Sequence, residues 1–266
     1  MFFLLAAVVC LPLHLFLMIT CLDPETSFLV GEGALSFAFG AFLAAGLVGI
    51  LLSALVRLED TSFALRRPRL LGVLGLLLGA GCLVQGVLAP FSGDFALSYD
   101  GQLNPGGLLM MAAMVAFSLL GGAAFLQQSG RFLTQGSDPA PGGVLLAAPT
   151  FWALAWAIQV FLYWPNLTQI PSRCLLLLTL LAVAIFLLGH GRLLCRRSRP
   201  RDVRWVCGFG LCAGLCGALL CAGEVVAWLR GGPSLSPLEL VCAAEASAYA
   251  AVFAWGTAPL KGSRSE

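Results

Sequence analysis

The chain has 266 residues, of which 59% are hydrophobic and 11% are charged, and its formal net charge is +2. With a mean hydropathy of +0.94, it carries more apolar surface than a soluble domain of this length can bury, which indicates a membrane protein. No basic cluster stands on a soluble domain, so we expect no nucleic-acid partner.

Eight apolar segments follow one another, each close to the 20 or so residues that a membrane-spanning helix requires. The breaks between them are short and rich in turn-forming residues, and the longest, 128–142, has 15 residues. The predicted fold is therefore all-helical, a single transmembrane domain over 1–266. Its predicted spans are 2–21, 34–56, 70–91, 106–127, 143–164, 174–194, 205–229 and 237–258.

The charge distribution predicts the orientation. With the N-terminus in the cytoplasm, 13 of the 15 basic residues fall on the inner side, and Arg173 and Arg230 remain outside. Cytoplasmic loops are enriched in Lys and Arg, so we expect both termini to be cytoplasmic. The first segment lacks the basic start of a cleaved signal peptide and is expected to stay as a helix.

In the first helix, His14 follows Pro12, a residue that frees a backbone carbonyl and favours a kink. We expect its imidazole to be hydrogen-bonded in the interior. His190, in the sixth helix, is expected at the inner interface. Because two histidines at opposite depths cannot ligate one haem iron, neither a haem nor another cofactor or metal is predicted. The ten cysteines include no CxxC pair, and we interpret them as packing residues.

Three further helices carry polar or small residues whose presence inside a membrane requires an explanation. Gln85 in the third helix and Gln159 in the fifth are candidate helix-bonding amides or ligand contacts. Gly75 and Gly79 predict a close helix contact, as do Gly210, Gly214 and Gly217 on one face of the seventh helix. Glu224 continues that face, so we expect it to point toward protein.

Glu245, in the last helix, is the strongest functional candidate. It lies eight residues after Pro237, about 12 Å along a helix and near the middle of the bilayer core. A charge there costs a few kcal/mol, so a proton relay, a cation ligand or a substrate contact would explain it. Tyr249, one turn later, is predicted to donate a hydrogen bond to its carboxylate. The alternative is a neutral carboxyl that bonds neighbouring helices. Glu239 is predicted to form a capping box with Ser236.

The polar residues of the outer half define one hypothetical site. They lie at a similar depth, roughly 7–12 Å below the outer boundary by helical rise. If the helices converge, they form an outward-facing cavity. The set is His14, Gln85, Gln159, Glu224 and Glu245.

Two resemblances complete the sequence evidence. The run from Phe161 to Pro171, with the Leu-rich span and basic loop after it, resembles uncharacterised polytopic membrane proteins of Firmicutes over about residues 55–220. That resemblance implies a bacterial inner-membrane, multi-pass location and no activity. Ala244-Glu245-Ala246, with Tyr249 to Trp255, is similar to the last helix of membrane-anchor subunits of molybdopterin oxidoreductases, but lacks their arginine.

The function predicted from these observations is binding or transport of a small solute or a proton. The alternatives are a quinol-linked anchor subunit of an oxidoreductase and a non-catalytic protein that binds partners. Expected partners are the lipid bilayer and, under those alternatives, other membrane subunits. No Walker A, HExxH or GxSxG motif is present, so the sequence offers no catalytic constellation and favours a protein that is not an enzyme.

Overall fold

The computed structural model is helical, with an isolated antiparallel bridge between Leu22 and Leu29 in the loop after the first helix. It describes residues 2–23, 25–26, 28–30, 33–57, 68–91, 105–134, 144–163, 170–195, 200–232 and 234–257. Within these ranges the α-helices are α1 Phe2–Cys21, α2 Gly33–Arg57, α3 Pro68–Leu88, α4 Pro105–Thr134, α5 Ala148–Tyr163, α6 Pro171–Leu194, α7 Pro200–Leu229 and α8 Pro237–Thr257.

All eight predicted spans are confirmed as helices long and apolar enough to cross a membrane. The largest difference is α4, which continues to Thr134 instead of ending at 127. Its extension contains Gln128 and Ser129, polar residues that end an apolar window but do not break a helix. Both are buried, and Ser129 lies against Gly75 of α3. α5 starts later than predicted because a short 3₁₀ turn, Val144–Ala147, precedes it.

Proline marks the start of five of the eight helices: Pro68, Pro105, Pro171, Pro200 and Pro237. The first helical position tolerates proline because a backbone N–H at that position would have no acceptor within the helix. The fixed φ of proline also matches that of a helix. At α8 the predicted capping box is confirmed: the Glu239 N–H donates to Ser236 Oγ over 3.3 Å, and the Ser236 N–H donates to Glu239 Oε2 over 2.9 Å.

Five helices form a closed ring, in which α3 packs on α4, α4 on α5, α5 on α6, α6 on α8 and α8 on α3. α7 lies outside this ring against α6 and α8, and α1 and α2 pack on each other and on α7. The described parts of α1 and α2 make no packing contact with α3. One edge of α8 therefore lies open between the ring and the N-terminal pair.

Small residues bring the helices together, which matters in lipid because apolar burial alone does not drive helices to associate. Gly75 faces Ser129 of α4, and a methyl group there would overlap the Ser129 hydroxyl. A Cβ at Gly79 would lie 3.1 Å from the Gly122 carbonyl oxygen. On α7, Gly210, Gly214 and Gly217 face α8 at Ala250, Ala251 and Ser247.

Two arginines tie the helix ends together on the side that holds the α7–α8 loop. Arg173, at the start of α6, forms an ion pair of 2.8 Å with Glu239 and also donates to the Ser234 carbonyl. Arg230, just after α7, donates from Nη1 to the carbonyls of Met18 and Ile19 at 3.1 and 2.8 Å. Because these are the last carbonyls of α1, the guanidinium caps that helix.

Candidate functional site

The interior of the ring is filled by aromatic side chains. Trp152 and Trp156 of α5 are tilted against each other at 5.6 Å, and Phe125 of α4 meets both Trp152 and Tyr249 edge-on. Each such pair contributes about 0.5–1.5 kcal/mol beyond area burial. Gln85 lies among these rings, where its Oε1 accepts a hydrogen bond of 2.9 Å from the Trp152 indole N–H. This glutamine therefore links α3 to α5 through a buried hydrogen bond.

Tyr249 is oriented differently from the sequence-based prediction. Its hydroxyl is 3.0 Å from His190 Nε2 on α6, and both side chains are buried. The predicted hydrogen bond from Tyr249 to Glu245 is therefore wrong, because α6 lies on the interior side of α8 and supplies a hydrogen-bond partner there. The interfacial position predicted for His190 is wrong for the same reason: its ring is enclosed by Phe186 and Phe253.

Glu245 lies in the seam between α8 and α3. A Cβ built on Gly81 of α3 would be 3.0 Å from Glu245 Oε2 and 3.1 Å from Cys242 Sγ, so the absent side chain at Gly81 makes room for both. The glutamate is half-buried. Among the described residues, its Oε2 atom is enclosed and has no hydrogen-bond partner. The seam thus holds an enclosed carboxyl oxygen in the middle of a spanning helix, with no hydrogen-bond partner in the part of the chain that the structure describes.

Glu224 has partners of its own. Its Oε1 accepts a hydrogen bond of 2.7 Å from the Ser234 hydroxyl, and its Oε2 accepts one of 3.2 Å from the Leu235 N–H. The side chain is fully buried. It therefore faces protein as predicted, but it anchors the α7–α8 loop and does not share the seam with Glu245.

His14 belongs to a third place, the junction of α1, α2 and α7. Its ring stacks on Phe39 of α2 at 4.9 Å between centroids. Its Nε2 edge points at Gly223 of α7, where any Cβ would overlap it. The imidazole is fully buried. Because this junction lies outside the ring that encloses Gln85, His14 cannot line a cavity with that glutamine.

The predicted shared site of the outer half is therefore not assembled. Gln85 bonds Trp152 inside the ring, Glu245 lies in the α3–α8 seam, Glu224 holds a loop and His14 packs between other helices. Gln159 is half-buried on α5. Helical rise gave these residues similar depths, but depth does not decide which neighbour each helix face meets. The seam around Glu245 remains as the candidate site.

The chemistry of the seam is that of one carboxyl and two thiols. Cys242 lies one turn before Glu245, and Cys82 of α3 follows Gly81; both cysteines are buried. Among the described residues, no three His, Cys, Asp or Glu side chains are grouped so that they could hold a metal ion. All ten cysteines lie within the described ranges as free thiols. A proton or a single small cation is what this arrangement can accept.

Two interior polar residues that the sequence-based prediction did not place inside are His190 and Gln128. His190 continues a buried stripe of α6 through Val183, Phe186 and Leu187, and that helical spacing could have placed it inside. Gln128 is 3% exposed and its Nε2 has no partner among the described residues. The sequence-based prediction placed Gln128 in a loop because the apolar segment ends at residue 127.

Comparison of the chain with protein-family models, with curated proteins and with solved structures finds no match. The resemblance to Firmicutes membrane proteins therefore rests on hydropathy and spacing, and the functional argument rests on the site itself.

Proposed function

We propose that this multi-pass membrane protein binds a proton or a small cation at Glu245 and moves it through the seam between α3 and α8. The observation that supports the proposal is the enclosed Glu245 Oε2 in the middle of a spanning helix, which has no hydrogen-bond partner among the residues that the structure describes. An ionised carboxyl there costs a few kcal/mol or more, and a bound proton or cation removes that cost.

A comparison with Glu224, a fully buried carboxyl on α7, makes Glu245 more distinctive. Glu224 satisfies both of its oxygens with hydrogen bonds from the α7–α8 loop, as a buried carboxylate with a structural role should. Glu245 has a glycine and thiols around it instead, and small side chains leave room for an exchanging ion. Polar residues in lipid that lack a structural partner commonly mark ion pathways.

The direction of movement follows from the proposed orientation. With 13 basic residues on one side, both termini are cytoplasmic and the start of α8 lies outside. Glu245 then lies about 12 Å below the outer boundary. In this proposal the protein is a multi-pass protein of a bacterial inner membrane, and Glu245 loads from the outer side.

The test is proton flux in vesicles that contain the purified protein and an internal pH-sensitive dye. Glu245→Gln keeps the side-chain shape but cannot release a proton, so we expect flux to fall to the level of empty vesicles. Glu224→Gln is the matched control, because its amide still accepts from Ser234, and it should retain flux. Equal flux in wild type and Glu245→Gln, with both proteins folded, would refute the proposal.

A second candidate, partner binding, is favoured by the open edge of α8. Val241 is exposed there, and Ala244 and Ala248 are small enough for a second helix to approach closely. Trp255, which is also exposed, meets Phe3 of α1 edge-on at the inner end of the helix. In that case Glu245→Gln leaves flux unchanged, and Ala248→Leu disrupts a complex isolated from native membranes. The quinol-linked anchor role stays a prediction, which copurification with a redox enzyme would test.

A further inference from the structure

The proposed function leaves one buried ionisable pair unused, Tyr249 and His190. Their side chains are 1% and 4% exposed, and the hydroxyl lies 3.0 Å from Nε2. The rings around them are Phe125, Phe186 and Phe253, with centroids between 4.6 and 6.4 Å from one or the other. Aromatic edges cannot replace a lost hydrogen bond, so each polar group depends on the other.

A helix contact does not require this pair. Replacing two bonded polar groups by apolar groups of the same shape is often neutral for stability. Here the surroundings are already apolar, and a phenylalanine against a leucine would fill the same space. The pair is therefore better explained by what a hydroxyl and an imidazole can do together, which is to pass a proton.

The position of the pair connects it to the seam. Tyr249 lies four residues after Glu245 on α8, so the two side chains occupy one face on successive turns, about 6 Å apart along the axis. The residues of α3 that face α8 follow the same order along the bundle: Gly81 faces Glu245, and Gly75, toward the inner end, faces the Tyr249 ring and Ser129. Ser129 brings a second buried hydroxyl to this level, beside that of Tyr249.

Beyond His190 the inner end of the bundle begins. A Cβ at Gly189 would lie 3.8 Å from the Asp202 carbonyl of α7, and the Asp202 carboxylate lies 3.8 Å from Arg192 Nη1. Arg192 is exposed at that end. Of the charged groups near the pair, Glu245 lies on the outer side, and Arg192 with Asp202 lies toward the inner end. Two residues along α6 turn Arg192 about 200° away from His190, so this ion pair marks the inner end and does not face the pair.

We infer that Tyr249 and His190 form the inner relay for the proton that Glu245 binds. This inference rests on the proposed function. The Glu245 carboxyl releases its proton through a water molecule to the Tyr249 oxygen, as the hydroxyl proton moves to His190 Nε2. Glu245 becomes a carboxylate, Tyr249 stays a hydroxyl and His190 becomes an imidazolium. His190 then returns to neutral by releasing its Nδ1 proton toward the inner end. This leaves the Nε2–H tautomer, which exchanges for the Nδ1–H tautomer before His190 accepts the next proton.

The experiment combines vesicle flux with infrared spectroscopy of the protonated Glu245 carboxyl. Tyr249→Phe removes one oxygen and keeps the ring, and His190→Gln keeps an acceptor for the hydroxyl but cannot carry a proton. We expect both variants to lower flux at least about tenfold, while the Glu245 carboxyl band still responds to outer pH. Thr179→Val is the control, since its buried hydroxyl bonds the Leu175 carbonyl of its own helix; it should keep full flux.

The outcomes separate the two proposals. Full flux in folded Tyr249→Phe and His190→Gln, with flux lost in Glu245→Gln, overturns the relay and leaves the proposed function standing. Full flux in Glu245→Gln overturns both. If Tyr249→Phe does not fold, His190→Gln alone decides, because it preserves the hydrogen bond that holds α6 to α8.

Discussion

Tyr249 and His190 are 59 residues apart in the chain, and their side chains share a buried hydrogen bond of 3.0 Å between α8 and α6. The Tyr249 hydroxyl therefore bonds His190 and not Glu245, which is the partner that the spacing along α8 predicted. The consequence is a difference between two successive turns of the last helix. The turn at Tyr249 is closed by aromatic rings and a hydrogen-bonded polar pair, whereas the turn at Glu245 has a carboxyl oxygen without a partner among the described residues.

Gly217 should be one of the least replaceable residues of α7. A methyl group there would overlap the Ser247 hydroxyl and Cβ, so we expect Gly217→Ala to lower the free energy of unfolding by about 1–3 kcal/mol. Gly130→Ala is the control, because no atom lies within 4 Å of its Cβ position in α4. It should be neutral or stabilising by up to about 1 kcal/mol. Thermal unfolding in detergent measures both, and equal losses would contradict the packing argument.

Gln85 and Trp152 should be coupled in a double-mutant cycle. Trp152→Phe leaves the Gln85 carbonyl without its donor, and Gln85→Met leaves the indole N–H without its acceptor, so each should cost about 1–3 kcal/mol. The double variant should cost less than the sum, by about 1 kcal/mol, because it leaves neither group stranded. Denaturation of the four proteins provides the measurement. Strictly additive losses would show that the hydrogen bond is not formed.

Glu224 should control the α7–α8 loop. Its carboxylate accepts from the Ser234 hydroxyl and the Leu235 N–H, so Glu224→Ala should cost about 1–3 kcal/mol and accelerate hydrogen exchange at the Leu235 amide. Glu224→Gln should lie between this variant and wild type. Glu25→Gln, on an exposed loop residue, should leave that amide protected. An unchanged rate of hydrogen exchange at the Leu235 amide in Glu224→Ala would contradict the proposed role of Glu224 as the anchor of this loop.

Asp23 offers a test of pH dependence in the α1–α2 loop. The Thr26 hydroxyl, which donates over 2.6 Å, and then the Glu25 N–H lower the pKa of Asp23 below its usual value. A carboxyl with a lowered pKa in the folded state adds stability above its unfolded pKa, and this is lost as pH falls through the folded pKa. Thr26→Val should therefore raise the pKa of Asp23. Carboxyl-carbon NMR titration measures the change, and an unaltered midpoint would contradict the assignment.

The helices could be predicted because the information for them is local. Apolar length, proline at the first turn and the Ser236–Glu239 cap all lie within one segment each. The glycine faces of α3 and α7 were also readable from spacing, since a stripe of small residues serves close approach whichever helix arrives.

The site could not be predicted in the same way because it depends on which faces meet. Helical rise gives a depth but no neighbour, so His14 and Gln85 were grouped although they lie in different interfaces. His190 was placed at the interface because Arg192 follows it closely, yet two residues along a helix turn the side chain by about 200° and reverse its surroundings.

The contact between Arg230 and the last carbonyls of α1 has a consequence for biosynthesis. The described parts of α1 and α2 pack on each other and on α7, and the Arg230 guanidinium reaches Met18 and Ile19 across 212 and 211 residues of chain. The ribosome makes the first two helices long before it makes the seventh. The hairpin of α1 and α2 therefore waits in the lipid while the central helices are inserted, and it takes its final place only after α7 and Arg230 have been made.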